Sequence, residues 1–293
     1  MLEKLTLNNM DDFKRIYNKS FNRISYSKDF FHSYYEQNFL LKYIYRKFVK
    51  LIKINNQYIG YIWYEILSEK YIKIWALYID NTYISLINKN TLSYFNYDIT
   101  NIEEFDTEDN SLILDKLGFK KCKFTILLKI NLSNYINLNK YILKNKEYNI
   151  NLKKLIVGKD EYLRCTIQND IFIKDSRRPL TVEDIYADMN QDYFIKELCY
   201  FGLINGEYLG YGQIIYNRNM YTIVNFGLVS KYRGKGLSKF FLNMIIEKAK
   251  EYGIQDLYIR VDPNNIKAIN LYKNIGFIET KKIVEWQRCI SKI

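Results

Sequence analysis

Among 293 residues there are four cysteines, one histidine, and only three glycines before residue 200. Cys122, Cys165, Cys199 and Cys289 lie far apart with no CxxC pair, which excludes a zinc knuckle and gives no disulfide framework. They read as buried thiols. His32, in Phe30-Phe31-His32 on a predicted N-terminal helix, has no second His or Cys near it in the chain and reads as a packed or surface residue. No window approaches about 18 uncharged apolar residues, so no membrane-spanning helix is expected. Glu3, Asp11 and Asp12 stand where a signal peptide needs an apolar run, and the expected setting is cytoplasmic, with no metal and no membrane partner.

A basic tail or block is also missing. The net charge is +12, yet residues 1–147 and 148–293 each carry 22 basic and 16 acidic residues, or +6 apiece. The heavy use of Ile, Asn, Lys and Tyr runs through the whole chain, which argues against a nucleic-acid partner and leaves attraction for small anionic ligands. With 48% hydrophobic residues the chain is too apolar for disorder, and its length fits two domains, 1–147 and 148–293.

Nine of the 12 glycines fall between Gly202 and Gly276, so the unusual backbone geometry belongs to the second half. There the pattern predicts a strand over Tyr148–Leu155, helices over Asp160–Phe172 and Thr181–Met189, and a hairpin over Leu198–Tyr216 turning at Asn205-Gly206. A third strand, Tyr221–Val229, leads into Arg233-Gly234-Lys235-Gly236-Leu237-Ser238. A helix with apolar Leu237, Phe241, Met244, Ile245, Ala249 and Tyr252 follows, closed by Gly253. A glycine turn between strand and helix leaves backbone N–H groups unpaired at the helix start, a site for an anion, with Arg233 and Lys235 beside it. Asp256–Val261 then reads as a strand. Asp262-Pro263 reads as the N-cap and first residue of a helix over Asn264–Asn274, which places Asn265, Ala268 and Tyr272 on one face.

These two segments, in this order, resemble the GNAT superfamily of acyl-CoA-dependent N-acyltransferases across Leu198–Ile290. The family's R/Q-x-x-G-x-G/A loop is matched by Arg233-x-x-Gly236-x-Ser238, with Ser in place of the final small residue. The resemblance implies that Arg233, Gly234, Lys235, Gly236, Leu237 and Ser238 bind the coenzyme A pyrophosphate. It also implies that backbone groups of Gly227, Leu228 and Val229 pair with the pantetheine arm, and that Asn265 and Tyr272 lie beside the thioester. Tyr272 then acts as general acid for the departing thiolate. The third strand contains no Asp or Glu to serve as the base, and Asn225 cannot. Glu207, Asp256, Asp262 and Glu285 remain, of which Glu285, beside Trp286 on the last strand, is the expected candidate, with a water chain to solvent as the alternative.

The first half repeats the plan faintly. Helices are predicted over Met10–Asn18 and Phe30–Phe39, and strands over Phe48–Ile54, Gln57–Leu67 and Tyr71–Ile79, with Asn55-Asn56 as the hairpin turn. Leu114–Phe119 matches Tyr272–Phe277 in register, with Leu114 at the place of Tyr272 and Thr107 at that of Asn265. No glycine lies between Gly60 and Gly118, so no phosphate loop can form. This half therefore resembles a degenerate GNAT domain, in a tandem layout similar to mycothiol synthase.

The expected fold class is α/β (α+β), two tandem GNAT-like domains, each a mixed, largely antiparallel central sheet flanked by helices. The expected activity is transfer of an acetyl group from acetyl-CoA, as donor substrate, to a primary amine of a small molecule or peptide. The protein is expected to be a monomer or homodimer. The alternatives are a non-catalytic coenzyme A-binding regulatory protein and an aminoacyl-tRNA-dependent transferase.

Overall fold

The computed structural model describes residues 1–21, 29–93, 95, 97–133, 135–136, 149–172 and 178–289. The chain divides into two compact units, Met1–Thr125 with Lys281–Ile293, and Ile126–Thr280.

Unit 1 opens with β1 (Leu2–Lys4), α1 (Met10–Phe21), α2 (Phe30–Tyr35) and α3 (Phe39–Lys47), and continues through β2 (Val49–Ile54), β3 (Gln57–Ser68), β4 (Tyr71–Ile79), β5 (Ile99–Phe105) and α4 (Glu108–Lys116). The strands pair in sequence order, antiparallel except for the parallel pair β4–β5. Asn55 and Asn56 turn the β2–β3 hairpin at φ 48° and 62°, the left-handed pair that a two-residue turn requires and that Asn tolerates. Alternation along β3 sends Tyr61 and Trp63 into one core with Phe13 and Phe30, and Ile62 and Tyr64 into another with Leu114, Phe119 and Trp286. The predicted single helix Phe30–Phe39 is two helices. Asn38, in extended backbone, accepts from the Leu41 N–H and starts α3 afresh.

The next strand, β6 (Lys120–Asn131), crosses the unit boundary, and its residues Ile126–Asn131 pair antiparallel with β11 (Asp256–Val261) in unit 2. The remaining elements of unit 2 are β7 (Ile150–Lys154), α5 (Glu161–Ile171), α6 (Val182–Met189), β8 (Phe194–Ile204), β9 (Glu207–Asn217), β10 (Met220–Leu228), α7 (Leu237–Glu251) and α8 (Ile266–Lys273). Its strand order is β7-β8-β9-β10-β11-β6, antiparallel except for β10–β11. Phe201, Tyr211 and Ile167 fill one face of this sheet, and Phe241, Ile245, Leu257 and Tyr272 fill the other. The last strand, β12 (Ile278–Cys289), returns to unit 1, where Ile283–Cys289 pair antiparallel with β5.

Each compact unit therefore takes its final strand from the other half of the chain, so the compact units do not coincide with 1–147 and 148–293. Residue 147 itself lies outside the described residues, as does Tyr148 at the start of one predicted strand. Among the described residues no helix is long and apolar enough to cross a membrane.

Candidate active site

The ladder between β10 and β9 pairs Val224 with Gln213 and then jumps to Gly227 with Tyr211. The bulge puts Asn225 at φ 53°, in the left-handed region. On its other side β10 pairs with β11 only over Tyr221–Ile223, so beyond Ile223 the two parallel strands part. Close packing surrounds this opening. A Cβ on Gly210 would lie 2.1 Å from the Gly227 carbonyl oxygen, and one on Gly227 would lie 2.3 Å from Ile171 Cγ2. Of the three backbone units expected to meet a pantetheine arm, Val229 already donates its N–H to Leu209 O at 3.0 Å, and Leu228 O accepts from Arg233 Nε at 3.1 Å.

The loop that follows is built as the glycine spacing suggests. Gly234 and Gly236 both adopt φ 75°, a conformation costly to any residue with a Cβ. Gly236 is the N-cap of the 15-residue α7 and supplies no side-chain cap, and the first turn of the helix has no acidic residue. Leu237 is buried and Ser238 half-buried, so the helix start is anchored in the core while its N–H groups keep an open approach. Lys235 is exposed, with Nζ 5.4 Å above the Tyr232 ring.

Arg233, expected beside the pyrophosphate, has a structural engagement of its own. Its Nη2 donates to Asp170 O at 2.8 Å and Ile171 O at 2.9 Å, capping the C-terminus of α5, while Nε holds the end of β10. Asp170 reciprocates by accepting from Ser230 N at 2.6 Å and Ser230 Oγ at 3.0 Å. The guanidinium thus clamps the base of the glycine loop.

Asn265 is the N-cap of α8 and accepts from Ala268 N at 3.2 Å. The helix starts later than Asp262-Pro263 suggests because Asp262 Oδ1 accepts from Asn264 N, closing a turn before the helix. Tyr272, two turns along, is 7% exposed, and burial pushes its phenol up to about 12.

Every carboxylate considered as a base has structural partners. Lys231 and Tyr232 donate to Glu207 and hold it below the usual carboxylate range. Asp256 is held down by Lys129 at 2.8 Å, and Asn131 also donates to it. Glu285 belongs to unit 1, where it accepts from Lys123 at 2.8 Å and from Asn101 at 3.1 Å.

The sequence reading missed a buried polar network in unit 2. Arg164, 1% exposed on α5, pairs with Asp188 on α6, and Asp188 also accepts from Tyr193 at 2.6 Å and Gln213 at 3.5 Å. The guanidinium stacks over Tyr211, whose hydroxyl donates to Gln213 Oε1 at 2.7 Å. Burial of these phenols, with the Asp188 charge beside them, pushes Tyr193 and Tyr211 above the usual tyrosine range. A charged residue amid Leu163, Cys165 and Ile167 was the available signal. Two of the four thiols expected to be buried, Cys122 and Cys289, are exposed.

Residues 167–277, which carry the β10 opening, the glycine loop and Tyr272, match the acetyltransferase (GNAT) family model. This segment is a GNAT domain.

The chain is 36% identical over 67 residues to the uncharacterized N-acetyltransferase YdgE of Bacillus subtilis, a stretch covering 23% of this chain and 43% of that protein. It is 24% identical over 152 residues to N-alpha-acetyltransferase 30 of Dictyostelium discoideum, covering 49% of this chain and 81% of the relative. For the first two curated relatives the match spans only about two fifths of their length, 43% and 40%. Among solved structures, a GCN5-related N-acetyltransferase from Sphaerobacter thermophilus superposes with TM-score 0.61 at 13% identity, covering 82% of this chain and 80% of that one. A tandem GNAT protein from the clavulanic acid biosynthesis pathway gives TM-score 0.55 at 9% identity, with 84% and 83% covered. The GNAT fold thus extends beyond the segment that the family model matches.

Proposed function

We propose that this protein transfers the acetyl group of acetyl-CoA to a primary amine of a small molecule or peptide, by direct attack within a ternary complex. The observation that carries this reading is the uncapped start of α7, with two left-handed glycines, beside the point where β10 and β11 part. Because these strands are parallel, Gly236 after one and Asn265 after the other rise from the same sheet edge. The pyrophosphate would rest on the α7 N–H groups of Gly236, Leu237 and Ser238, with Lys235 as a nearby cation. The thioester arm would lie in the opening, against the free side of Gly227 and Leu228, and Asn265 and Tyr272 would flank the sulfur.

In the reaction the amine nitrogen bonds to the thioester carbon, the C–S bond breaks, and the sulfur takes the Tyr272 proton. The surplus proton of the acylated nitrogen then passes through water to restore the Tyr272 phenol, so that net one amine proton ends on sulfur. A phenol pushed to about 12 by burial still holds its proton at neutral pH and can give it to the thiolate as charge develops there. The amine must arrive neutral. For a lysine-like acceptor that form is about one molecule in 2500 at pH 7, roughly 4.6 kcal/mol above the ammonium. The reaction fits the cytoplasm, a reducing compartment compatible with the exposed free thiols Cys122 and Cys289.

We read residues 1–147 as the descendant of a second, degenerate GNAT domain, and 148–293 as the catalytic one, although β12 of the second half packs into unit 1. Unit 1 keeps a parting of β4 and β5, which pair only over Tyr71–Ile74 and Ile99–Ile102, with a cavity of about 410 Å³ between them lined by Leu77, Ile102 and Leu114. It lacks the glycine loop.

The engagement of Glu207, Asp256 and Glu285 favours one alternative, a coenzyme A-binding protein without turnover. A thiol-release assay over a panel of amines separates the two. Amine-dependent release abolished by Tyr272→Phe supports transfer, whereas tight acetyl-CoA binding with no release on any amine supports the alternative.

A further inference from the structure

Unit 1 gathers four cations around one cavity, none of them among the residues considered for the transfer reaction. The register of β1 and β2 sets Lys4 directly opposite Lys50, and like charges facing each other across a ladder destabilise a sheet. Burial and the Lys4 charge both push the Lys50 ammonium below the usual lysine range. These two lysines line a cavity of about 530 Å³ together with Arg46, Lys47, Tyr43 and Leu7, and no lining residue is acidic. Arg46 is 7% exposed, and its guanidinium donates to the Tyr34 hydroxyl at 2.7 Å. Among the described residues none of these four cations has a carboxylate partner.

Folding alone does not account for this arrangement. A buried guanidinium such as that of Arg46 ordinarily recruits a carboxylate, and the half-buried Lys50 faces the exposed Lys4 with no carboxylate among the described residues to offset the pair. Arg46 and Lys47 do favour the C-terminus of α3. Lys4 and Lys50 belong to strands and have no helix end to serve. The rest of the wall is Leu5, Thr6, Leu7 and Tyr43, with Tyr43 51% and Leu7 65% exposed, and Lys47 Nζ lies 4.7 Å above the Tyr43 ring.

We propose that this cavity binds a phosphate-type anion joined to an apolar group, with the anion between Lys4 and Lys50 and the apolar part along Tyr43 and Leu7. The same chemistry is offered by a free amphiphilic phosphate ester and by an anionic lipid head group.

The test uses the full chain, as wild type, as Lys4→Gln/Lys50→Gln, and as Lys116→Gln, which removes a cation on α4. Each is titrated calorimetrically with inorganic phosphate and with monomeric dihexanoylphosphatidic acid. Each is also floated with dioleoylphosphatidylcholine vesicles, with and without dioleoylphosphatidic acid. The expected result is saturable binding of the short-chain ester, weakened at least about tenfold in the double variant and unchanged in Lys116→Gln. Additional binding to the acidic vesicles identifies a lipid surface as the source, and its absence identifies a soluble ester. Inorganic phosphate binding as tightly as the ester overturns the apolar half of the assignment. No saturable binding of any probe, or equal binding by the double variant, overturns the site. Lys50→Met guards against misfolding, because removing one of two opposed charges is expected to leave the melting temperature at or above that of the wild type while still weakening the ester.

Discussion

Tyr272 and Leu114 occupy the same step of two matching helices. Each stands seven residues after its N-cap, Asn265 or Thr107, and each gives its carbonyl to the N–H of the phenylalanine five residues on, at 3.1 Å for Phe277 and 2.9 Å for Phe119. Both side chains are buried, at 7% and 1% exposure. Since a hydrocarbon side chain satisfies this position in unit 1, packing does not require the phenol in unit 2. Among the described residues its hydroxyl has no hydrogen-bond partner, which leaves it available to a substrate.

Tyr272→Phe should therefore leave stability within about 1 kcal/mol of the wild type, since the ring and its burial persist. The turnover number should fall about 100-fold or more, the scale of a lost general acid, with little change in acetyl-CoA affinity. Stopped-time thiol release and a denaturant melt on the same preparations check both halves.

The pH dependence follows from the same phenol. Rate should rise with pH as the acceptor amine loses its proton, with no falling limb from Tyr272 until the pH nears 12. For stability the sign is opposite. The unfolded chain gives up this proton near 10 while the folded chain holds it to about 12, so the contribution is intact below pH 10 and is lost as pH rises through that window. Melting curves between these limits should show a smaller alkaline loss for Tyr272→Phe than for the wild type.

Arg233→Ala removes the clamp that joins Leu228, Asp170 and Ile171. A loss of about 1 to 2 kcal/mol in stability is expected, because two C-terminal carbonyls of α5 lose a charged donor. Arg233→Lys should not rescue it, since one ammonium cannot span the three carbonyls that the fork reaches. Acetyl-CoA affinity should weaken through a loosened loop, and high salt should do little to the difference between variant and wild type.

Glu285→Gln should keep the turnover number within about threefold of the wild type, whereas loss of a general base costs about 100-fold or more. Its oxygens already serve Lys123 and Asn101 in unit 1. A steady-state assay at saturating acetyl-CoA decides this.

The local features of unit 2 were legible in the sequence because each is encoded within a few residues. Asn205-Gly206 makes its hairpin turn, β11 begins and ends where read, and Gly234 and Gly236 take the backbone angles that only glycine adopts cheaply. What was not legible depends on distant partners. Two of the three carbonyls that hold Arg233 lie more than 60 residues upstream, and nothing near Arg233 in the sequence announces that clamp. The pairing of Ile126–Asn131 with β11 and of Ile283–Cys289 with β5 is likewise set by neighbours remote in sequence. In α3, the pattern of Phe39, Leu40, Tyr43 and Ile44 leaves apolar residues exposed, so it lacks the buried stripe by which a surface helix is ordinarily recognised.

The central claim is that the open start of α7 binds the pyrophosphate of acetyl-CoA, and Gly236→Asp tests it most directly. Gly236 lies at φ 75°, where aspartate is among the least costly residues with a Cβ, so the fold should survive at a cost of about 1 kcal/mol while a carboxylate takes the place meant for phosphate. Calorimetric titration of wild type and variant with acetyl-CoA, and with S-acetyl-pantetheine, which lacks the pyrophosphate, reads the effect. Micromolar binding of acetyl-CoA by the wild type is predicted, at least about 100-fold weaker in the variant, with pantetheine binding unchanged between them and the variant still folded, melting a few degrees lower. Acetyl-CoA binding of equal strength in wild type and a folded Gly236→Asp, or no binding by the wild type, would contradict it.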